Sequence, residues 1–280
     1  AVLAEFRSDF GRMVERTPAG IARCSSAAEV AQVVRFCREH KIPIAPRGQG
    51  HTQTGQSTTD GGIVIDTAGL QKIHEISAEG LYAVCDGGVV WRDLVRAATE
   101  QGLVPPTLTN NLGVTIAGTT SMAGLGVASF RYGSQADNAI ELEVVTGAGD
   151  IVTCSREENR ELFDAVRCTL GQIGIITKIK TRLRPAKPNV RMYTLVYDDL
   201  GNFLADAKKV MDGDVFASMG GICSPAPLGF RRIGEGMEPG VGVVGFGHWI
   251  FPMFLTVEFA PGEEPDDEKV LAELSPYRRS

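Results

Sequence analysis

A glycine-rich stretch at residues 46–56, with the sequence PRGQGHTQTGQ, constrains this chain more than any other. We call it the glycine loop. It follows the apolar run 42–45, which predicts a β-strand. Gly48 and Gly50 have no Cβ, so the backbone can turn sharply and bring consecutive N–H groups close to a ligand. Such groups form a concavity that suits a phosphate, and His51 is the titratable side chain beside it. Taken alone, the loop is equally consistent with a phosphate-bearing cofactor and with a tight surface turn.

Charge and cysteine content argue against several classes of protein. The 280 residues carry a net charge of −6, whereas nucleic acid or an anionic membrane would favour a basic patch. The six cysteines form no C-x-x-C motif and do not cluster with histidine, so we expect no metal site. No signal peptide is visible, and the apolar run 249–259 is too short to cross a bilayer. We expect a soluble, cytoplasmic protein, although secretion of a trimmed precursor stays open.

Periodicity along the chain predicts an α+β fold. Ser26 and Glu29 form a capping box before a helix at 27–40. A second capping box at 155–158 predicts a helix directly after it. Other helices are predicted at 91–101, 199–211 (with Phe203, Leu204 and Ala207 facing inward) and 266–274, and strands at 42–46, 62–66, 73–76, 81–85, 139–146, 151–154, 192–197 and 249–259. A second glycine loop at 171–177 runs into a further strand that continues to residue 183. This order lacks the strict strand–helix alternation of a doubly wound fold.

Two further features describe the organisation of the chain. A length of 280 residues predicts about two domains, and prolines at 185 and 188 place a boundary between domains at 1–188 and 189–280. Residues 104–133 have little periodicity and many small side chains, a pattern that is usually functional inside a compact domain. The alternative is a flexible surface loop, but Val114 and Ile116 are too apolar for a solvated linker.

The order of these motifs resembles the vanillyl-alcohol-oxidase-type (PCMH-type) FAD-binding family. The glycine loop is similar to the flavin loop of that family. Four later stretches, at 112–124, 128–133, 141–147 and 170–177, are most similar to its cytokinin dehydrogenase branch. The resemblance implies a PCMH-type FAD-binding domain of two α+β subdomains, followed by the start of an α+β substrate (cap) domain. A Rossmann loop would instead need a third glycine where Gln53 stands.

The resemblance also implies FAD as the cofactor, attached through its 8α carbon to His51. The amides of residues 48–52 are expected to hold its pyrophosphate. The implied cofactor contacts come from separate stretches of the chain, and they are Arg47, Gly48, Gln49, Gly50, His51, Thr52, Gln56, Asn110, Thr115, Gly118, Ser121, Leu125 and Ile175. In such an enzyme the flavin does the hydride chemistry, while the protein tunes the electronic properties of the flavin and orients it.

The sequence departs from the cytokinin dehydrogenases at the expected catalytic position. Asn110 stands where they carry an aspartate that takes a proton from the substrate amine, and an amide cannot act as a base. Asn110 can still position a substrate by accepting a hydrogen bond. Asn111 replaces an aromatic residue of the pocket wall. His248 and Trp249 are candidates for facing the pocket, although a core position is favoured for Trp249.

We therefore expect a cytokinin dehydrogenase-like enzyme that passes hydride from a small-molecule amine or alcohol to the flavin. The expected electron acceptor is oxygen or a quinone. An alcohol, sugar or hydroxy-acid oxidase of the same family stays open, as does a flavin-binding subunit without turnover. Because the chain ends inside the expected second domain, a missing C-terminal segment or a partner chain is a further candidate for completing the site.

Overall fold

The computed structural model describes residues 2–225, 230–233, 236–239 and 249–275. The chain divides into two compact units, which are Ala1–Gly126 with Tyr132–Ala186, and Val127–Arg131 with Lys187–Ser280. The domain boundary at 188 stays a prediction; the units divide two residues earlier, and residues 127–131 lie in the second unit. Every helix in the described part of the chain is too short or too polar to cross a membrane.

The first unit is built on two main sheets. Its elements up to residue 120 are α1 (Val2–Glu5), β1 (Gly20–Arg23), α2 (Ala27–Glu39), β2 (Ile44–Arg47), β3 (Ile63–Asp66), β4 (Ile73–Ser77), β5 (Tyr82–Asp86), α3 (Trp91–Thr99), β6 (Leu103–Val104) and α4 (Ile116–Thr120). Helix α5 (Ser129–Tyr132) lies mostly in the second unit, and the first unit then continues with β7 (Ala139–Thr146), β8 (Ile151–Ser155), α6 (Arg160–Val166), β9 (Gly174–Arg182) and β10 (Arg184–Pro185). The segment 104–133, predicted to be irregular, therefore contains two short helices.

Strand pairing places the end of β2 beside the end of β3. Strands β1, β3 and β2 form a parallel sheet in which Arg23 and Arg47 both pair with Asp66. The amphipathic helix α2 buries Val30 and Val34 against this sheet. The second sheet is antiparallel in the order β4-β5-β9-β7-β8, and α3 contributes Trp91 and Leu94 to its core. The glycine loop thus leaves the carboxyl edge of the parallel sheet.

One capping prediction is confirmed and the other is wrong. Ser26 Oγ accepts a hydrogen bond of 3.2 Å from Glu29 N at the start of α2. Ser155, in contrast, ends strand β8, and its hydroxyl accepts from the N–H groups of Glu157 and Glu158 in a turn. Helix α6 begins only at Arg160, because a local side chain–backbone turn competes with the helix at these residues.

The second unit contains a sheet covered by α7. Its elements are β11 (Asn189–Tyr197), α7 (Leu200–Asp212), β12 (Ser218–Gly221), β13 (Ser224–Pro225), β14 (Phe230–Ile233), β15 (Gly236–Pro239), β16 (Trp249–Phe259) and α8 (Asp267–Leu271). Strands β11, β16 and β12 are antiparallel neighbours, β13 also pairs with β16, and β14 pairs with β15. Their core includes Tyr193, Tyr197, Met253 and Leu255.

Two packing predictions in the second unit are wrong. Leu204 is 57% exposed, and the position facing inward is Asp206, which is fully buried. Burial works to raise the pKa of Asp206, but hydrogen bonds from Lys209 and Ser275 lower it overall. These hydrogen bonds therefore stabilise the buried carboxylate. Trp249 is 59% exposed rather than in the core. His248 lies outside the described residues.

Candidate active site

The site is a cavity of about 420 Å³ at the carboxyl ends of β2 and β3. Its volume falls in the usual range of about 300–1,000 Å³ for small-molecule sites. Three stretches line it, from the glycine loop, from residues 109–125 and from residues 170–176. The structure brings all the predicted cofactor-binding residues to this cavity, namely Arg47, Gly48, Gln49, Gly50, His51, Thr52, Gln56, Asn110, Thr115, Gly118, Ser121, Leu125 and Ile175.

The glycines of the loop are needed at their positions. A Cβ on Gly48 would collide with Oγ1 of Thr115, whose side chain caps α4 by accepting from Gly118 N at 3.2 Å. Gly50 has a φ of +64°, which L side chains rarely adopt, and a Cβ there would strike the guanidinium of Arg47. The loop and the start of α4 can therefore approach each other only because residue 48 has no side chain.

The N–H groups of residues 48–52 are available to a ligand. Within the described part of the chain, none of them donates a hydrogen bond to a backbone or side-chain acceptor. Backbone N–H groups are strong donors that proteins rarely leave unpaired when they are shielded from water. Five consecutive free donors beside a cavity favour an anionic group of the kind carried by a nucleotide.

Arg47 lines the cavity, but its guanidinium is already engaged. Nη1 donates to Ser8 O at 2.9 Å, Nη2 to Glu5 O at 3.3 Å, and the group lies over the Phe6 ring. Burial lowers the pKa of Arg47, opposed by the nearby carboxylates of Glu5 and Asp9. This side chain therefore links the start of the glycine loop to residues 5–8 as well as lining the site.

His51 lies at the mouth of the cavity with an exposed ring. Its ring packs on Phe10, with the centroids 4.2 Å apart. The amide nitrogen of Asn111 lies 3.3 Å from Nε2 and 3.5 Å from Nδ1. Asn110 lines the same cavity and is exposed, and the described residues offer it no hydrogen-bond partner. Of the two neighbouring asparagines, Asn111 is therefore the one in contact with His51.

The far wall consists of α4, the residues after it, and the segment before β9. Ser121 Oγ donates to Ala117 O, so the hydroxyl is held at the end of α4. Leu170 N donates to Ser121 O at 2.9 Å and so links the segment before β9 to the end of α4. Ile175 is buried, whereas Leu125 is 70% exposed, so the wall changes from the interior to the surface along its length.

The titratable side chains of the cavity are few. Among the described lining residues, Arg47 and His51 are the ionisable ones, and no carboxylate is present. The described residues also contain no group of three or more His, Cys, Asp or Glu placed to hold a metal. The walls can thus bind a large molecule with an anionic centre, but they supply few acid–base groups of their own.

The sequence analysis did not identify the N-terminal segment, residues 5–11, as part of the site. Asp9 and Phe10 contact the glycine loop, and Thr67 Oγ1 donates to Arg47 O at 3.1 Å from the end of β3. These contacts join residues that lie 20 to 46 positions apart. The segment has no helical or strand periodicity, so no local pattern marked it. The pairing of β2 with β3 could have indicated Thr67.

Comparison with known protein families gives one domain match. Residues 18–155 match the family described as FAD binding domain. This range contains the glycine loop and α4 but not the segment 170–176 that completes the cavity.

Individual relatives extend the similarity further along the chain. Cytokinin dehydrogenase 7 of rice, Oryza sativa subsp. japonica, is 42% identical over 209 residues, which are 72% of this chain and 40% of that protein. An uncharacterized oxidoreductase of the fasciation locus of Rhodococcoides fascians is 35% identical over 267 residues, covering 95% of this chain and 56% of its own length. The chain therefore spans about half the length of these relatives.

A solved structure is similar over nearly the whole chain. It is 6-hydroxy-D-nicotine oxidase from Arthrobacter nicotinovorans, with a TM-score of 0.73 and 28% sequence identity. The similarity covers 97% of this chain and 56% of that one.

Proposed function

Residues 18–155 belong to the FAD-binding domain family, and from this premise we propose that the protein is an FAD-dependent oxidoreductase acting on a small amine or alcohol. The predicted family and the α+β fold class are confirmed by the matches to this domain, to cytokinin dehydrogenases and to the oxidase structure. Since the chain covers only part of its relatives, the activity of the whole protein, its substrate and its electron acceptor are proposals.

The observation that carries the proposal is the glycine loop with its free donors. The N–H groups of residues 48–52 suit the pyrophosphate of FAD, which carries negative charge on several oxygens. Because Gly48 has no Cβ, Thr115 at the start of α4 can approach the loop backbone, and both line the same cavity. The residues present therefore fit FAD.

We assign His51 the role of cofactor anchor. Its ring lies at the cavity mouth, and its nitrogens contact only an uncharged amide among the described residues. A neutral imidazole nitrogen is a nucleophile, so the side chain suits a covalent link to the flavin. Phe10 and Asn111 restrict the ring from two sides. Such a link prevents loss of the cofactor.

The substrate is expected beside Asn110. When bound, the flavin supplies the acceptor for hydride. Asn110 lines the cavity with its side chain free of other described partners, so its amide oxygen can accept a hydrogen bond from a substrate N–H or O–H. It cannot remove the proton. Because no carboxylate is found among the described lining residues, the proton would be taken by solvent, by a residue outside the described ones, or by another group of the substrate.

The lack of a carboxylate among the described lining residues supports the second candidate. A flavin-binding subunit that needs a partner chain for turnover would show the same loop and the same lack of a base. An alcohol, sugar or hydroxy-acid oxidase is a further candidate within the same flavin family. A cytoplasmic location stays part of the proposal, supported by six free cysteines of which four are buried.

Anaerobic reduction of the flavin tests this function. Amines, alcohols, sugars and hydroxy acids are added separately to the purified full-length protein, and bleaching of the flavin absorption is followed. Reoxidation by oxygen or by a quinone then identifies the acceptor class. Bleaching by an amine supports a cytokinin dehydrogenase-like activity, and bleaching by an alcohol, a sugar or a hydroxy acid supports an oxidase of the same flavin family. A bound flavin that no substrate reduces, while dithionite does, would favour the non-catalytic subunit.

A further inference from the structure

The N-terminal segment, residues 5–11, runs along the glycine loop and contacts it at several points. At the start of the loop, the segment supplies the carbonyls that bind the Arg47 guanidinium. In the middle, Phe10 N donates to Gly50 O at 2.8 Å and Gly11 N donates to Thr52 O at 3.0 Å. Because these carbonyls are occupied by the segment, the orientation of the peptide planes of the loop is set from this side.

The approach of the two backbones is close. A Cβ on Gly11 would collide with the carbonyl oxygen of Gln53. Collision with backbone cannot be relieved by a side-chain rotation, so residue 11 must be glycine for this packing. The segment is therefore closely packed against the glycine loop.

Asp9 is the polar anchor of this contact. The residue is 4% exposed, and its Oδ2 accepts from Thr52 Oγ1 at 2.7 Å and from Gly55 N at 2.6 Å. Its Oδ1 is buried and has no hydrogen-bond partner among the described residues. An unpaired buried oxygen is unfavourable for folding. Both groups that donate to the Asp9 carboxylate belong to the glycine loop, so the carboxylate stabilises the conformation of that loop.

We propose that Asp9 is a positioning residue of the flavin site. Its carboxylate fixes the Thr52–Gly55 end of the glycine loop, so that the free N–H groups and His51 keep their binding geometry before FAD arrives. It acts through Thr52 and the loop backbone and does not itself touch the cofactor. The inference rests on the proposed function, because it assigns the loop to FAD. Preorganisation of this kind increases affinity by reducing the ordering cost of binding.

Reversible FAD binding measures this role. In a His51→Ala background no histidyl link can form, so the dissociation constant can be determined by titrating flavin-free protein with FAD. Adding Asp9→Asn, which keeps one oxygen acceptor but removes the charge, is expected to raise the Kd on the order of tenfold, because FAD binding must then supply part of the ordering of the loop. Asp9→Ala removes both bonds and is expected to raise it further. The melting temperature of each variant is measured alongside.

Asp206→Asn provides the matched control. Asp206 is also a buried carboxylate with two short hydrogen bonds, but it lies in the second unit. This substitution is expected to lower the melting temperature and leave the Kd unchanged. If the Asp9 variants lower the melting temperature without changing the Kd, Asp9 is merely structural and the proposal is overturned. An equal rise in Kd in the Asp206 variant would overturn it too.

A second measurement separates this inference from the proposed function. In the otherwise wild-type protein, the Asp9 variants are expected to carry less flavin per folded chain after purification. If wild type and variants retain equal flavin, the role of Asp9 fails while the proposed function stands. If the full-length wild-type protein neither retains nor binds FAD, both fail.

Discussion

The side-chain amide of Asn111 lies 3.3 Å from Nε2 of His51, although sixty residues separate them in the chain. The orientation of this amide is set from its other end, where Oδ1 accepts from Gly113 N at 2.9 Å. The NH₂ group is therefore the end that faces the imidazole. The resemblance to the cytokinin dehydrogenases implies an aromatic residue at this position, which would lack this amide.

Removing the Asn111 side chain should slow attachment of the flavin. Asn111→Leu deletes both hydrogen bonds, and a neutral hydrogen bond contributes about 1 kcal/mol, so we expect a several-fold lower rate. The rate is measured as the appearance of acid-stable flavin after FAD is added to flavin-free protein. Asn110→Leu is the control, because among the described residues Asn111 and not Asn110 is hydrogen-bonded to His51. Equal rates in the two variants would show that the Asn111 contact does not orient the ring.

Restoring a carboxylate at residue 110 should increase amine oxidation. Evolved general bases contribute about 10²–10⁴-fold, so an introduced and unoptimised base in Asn110→Asp is expected to give roughly tenfold. Flavin content is expected to stay unchanged, since Asn110 makes no hydrogen bond to the glycine loop among the described residues. An unchanged rate in Asn110→Asp would place the base elsewhere.

Cysteine reactivity tests the packing of the fold. Burial raises the pKa of Cys85 to about 12 and that of Cys154 to about 11, and both side chains are fully buried. The reactive form of cysteine is the thiolate, so a higher pKa leaves even less of it at pH 8. Cys168 and Cys223 are exposed. A thiol reagent is expected to label these two in the native protein and the other four only after unfolding; rapid labelling of Cys85 would contradict the core described here.

Parts of the site could be predicted from the sequence because their signals are local. The loop conformation depends on Gly48 and Gly50, and the absence of a side chain is visible in the sequence itself. The motif order then indicated which later stretches would meet the loop. Ser155 shows the limit of local patterns, since the same residues can form a turn or a capping box and only packing decides.

The contacts of Asp9 and Asn111 could not be predicted in this way. Asp9 meets Thr52 and Gly55 across more than forty residues, and its neighbours have no periodicity. Asn111 was expected in the pocket wall, but its contact with His51 depends on how the turn at 109–113 is folded. Burial of a polar side chain such as Asp206 likewise depends on partners that come from distant parts of the chain.

The flavin content of two glycine variants tests the central claim, that the glycine loop and its cavity hold FAD. Gly48→Ala places a Cβ against Thr115 Oγ1, whereas Gly147→Ala, in the turn between β7 and β8, meets nothing within 4 Å. The full-length wild-type protein and Gly147→Ala are expected to purify with flavin, shown by the visible absorption spectrum, while Gly48→Ala remains folded by circular dichroism but loses most of it. Wild-type protein that binds no FAD, or folded Gly48→Ala with the full wild-type flavin content, would contradict the account.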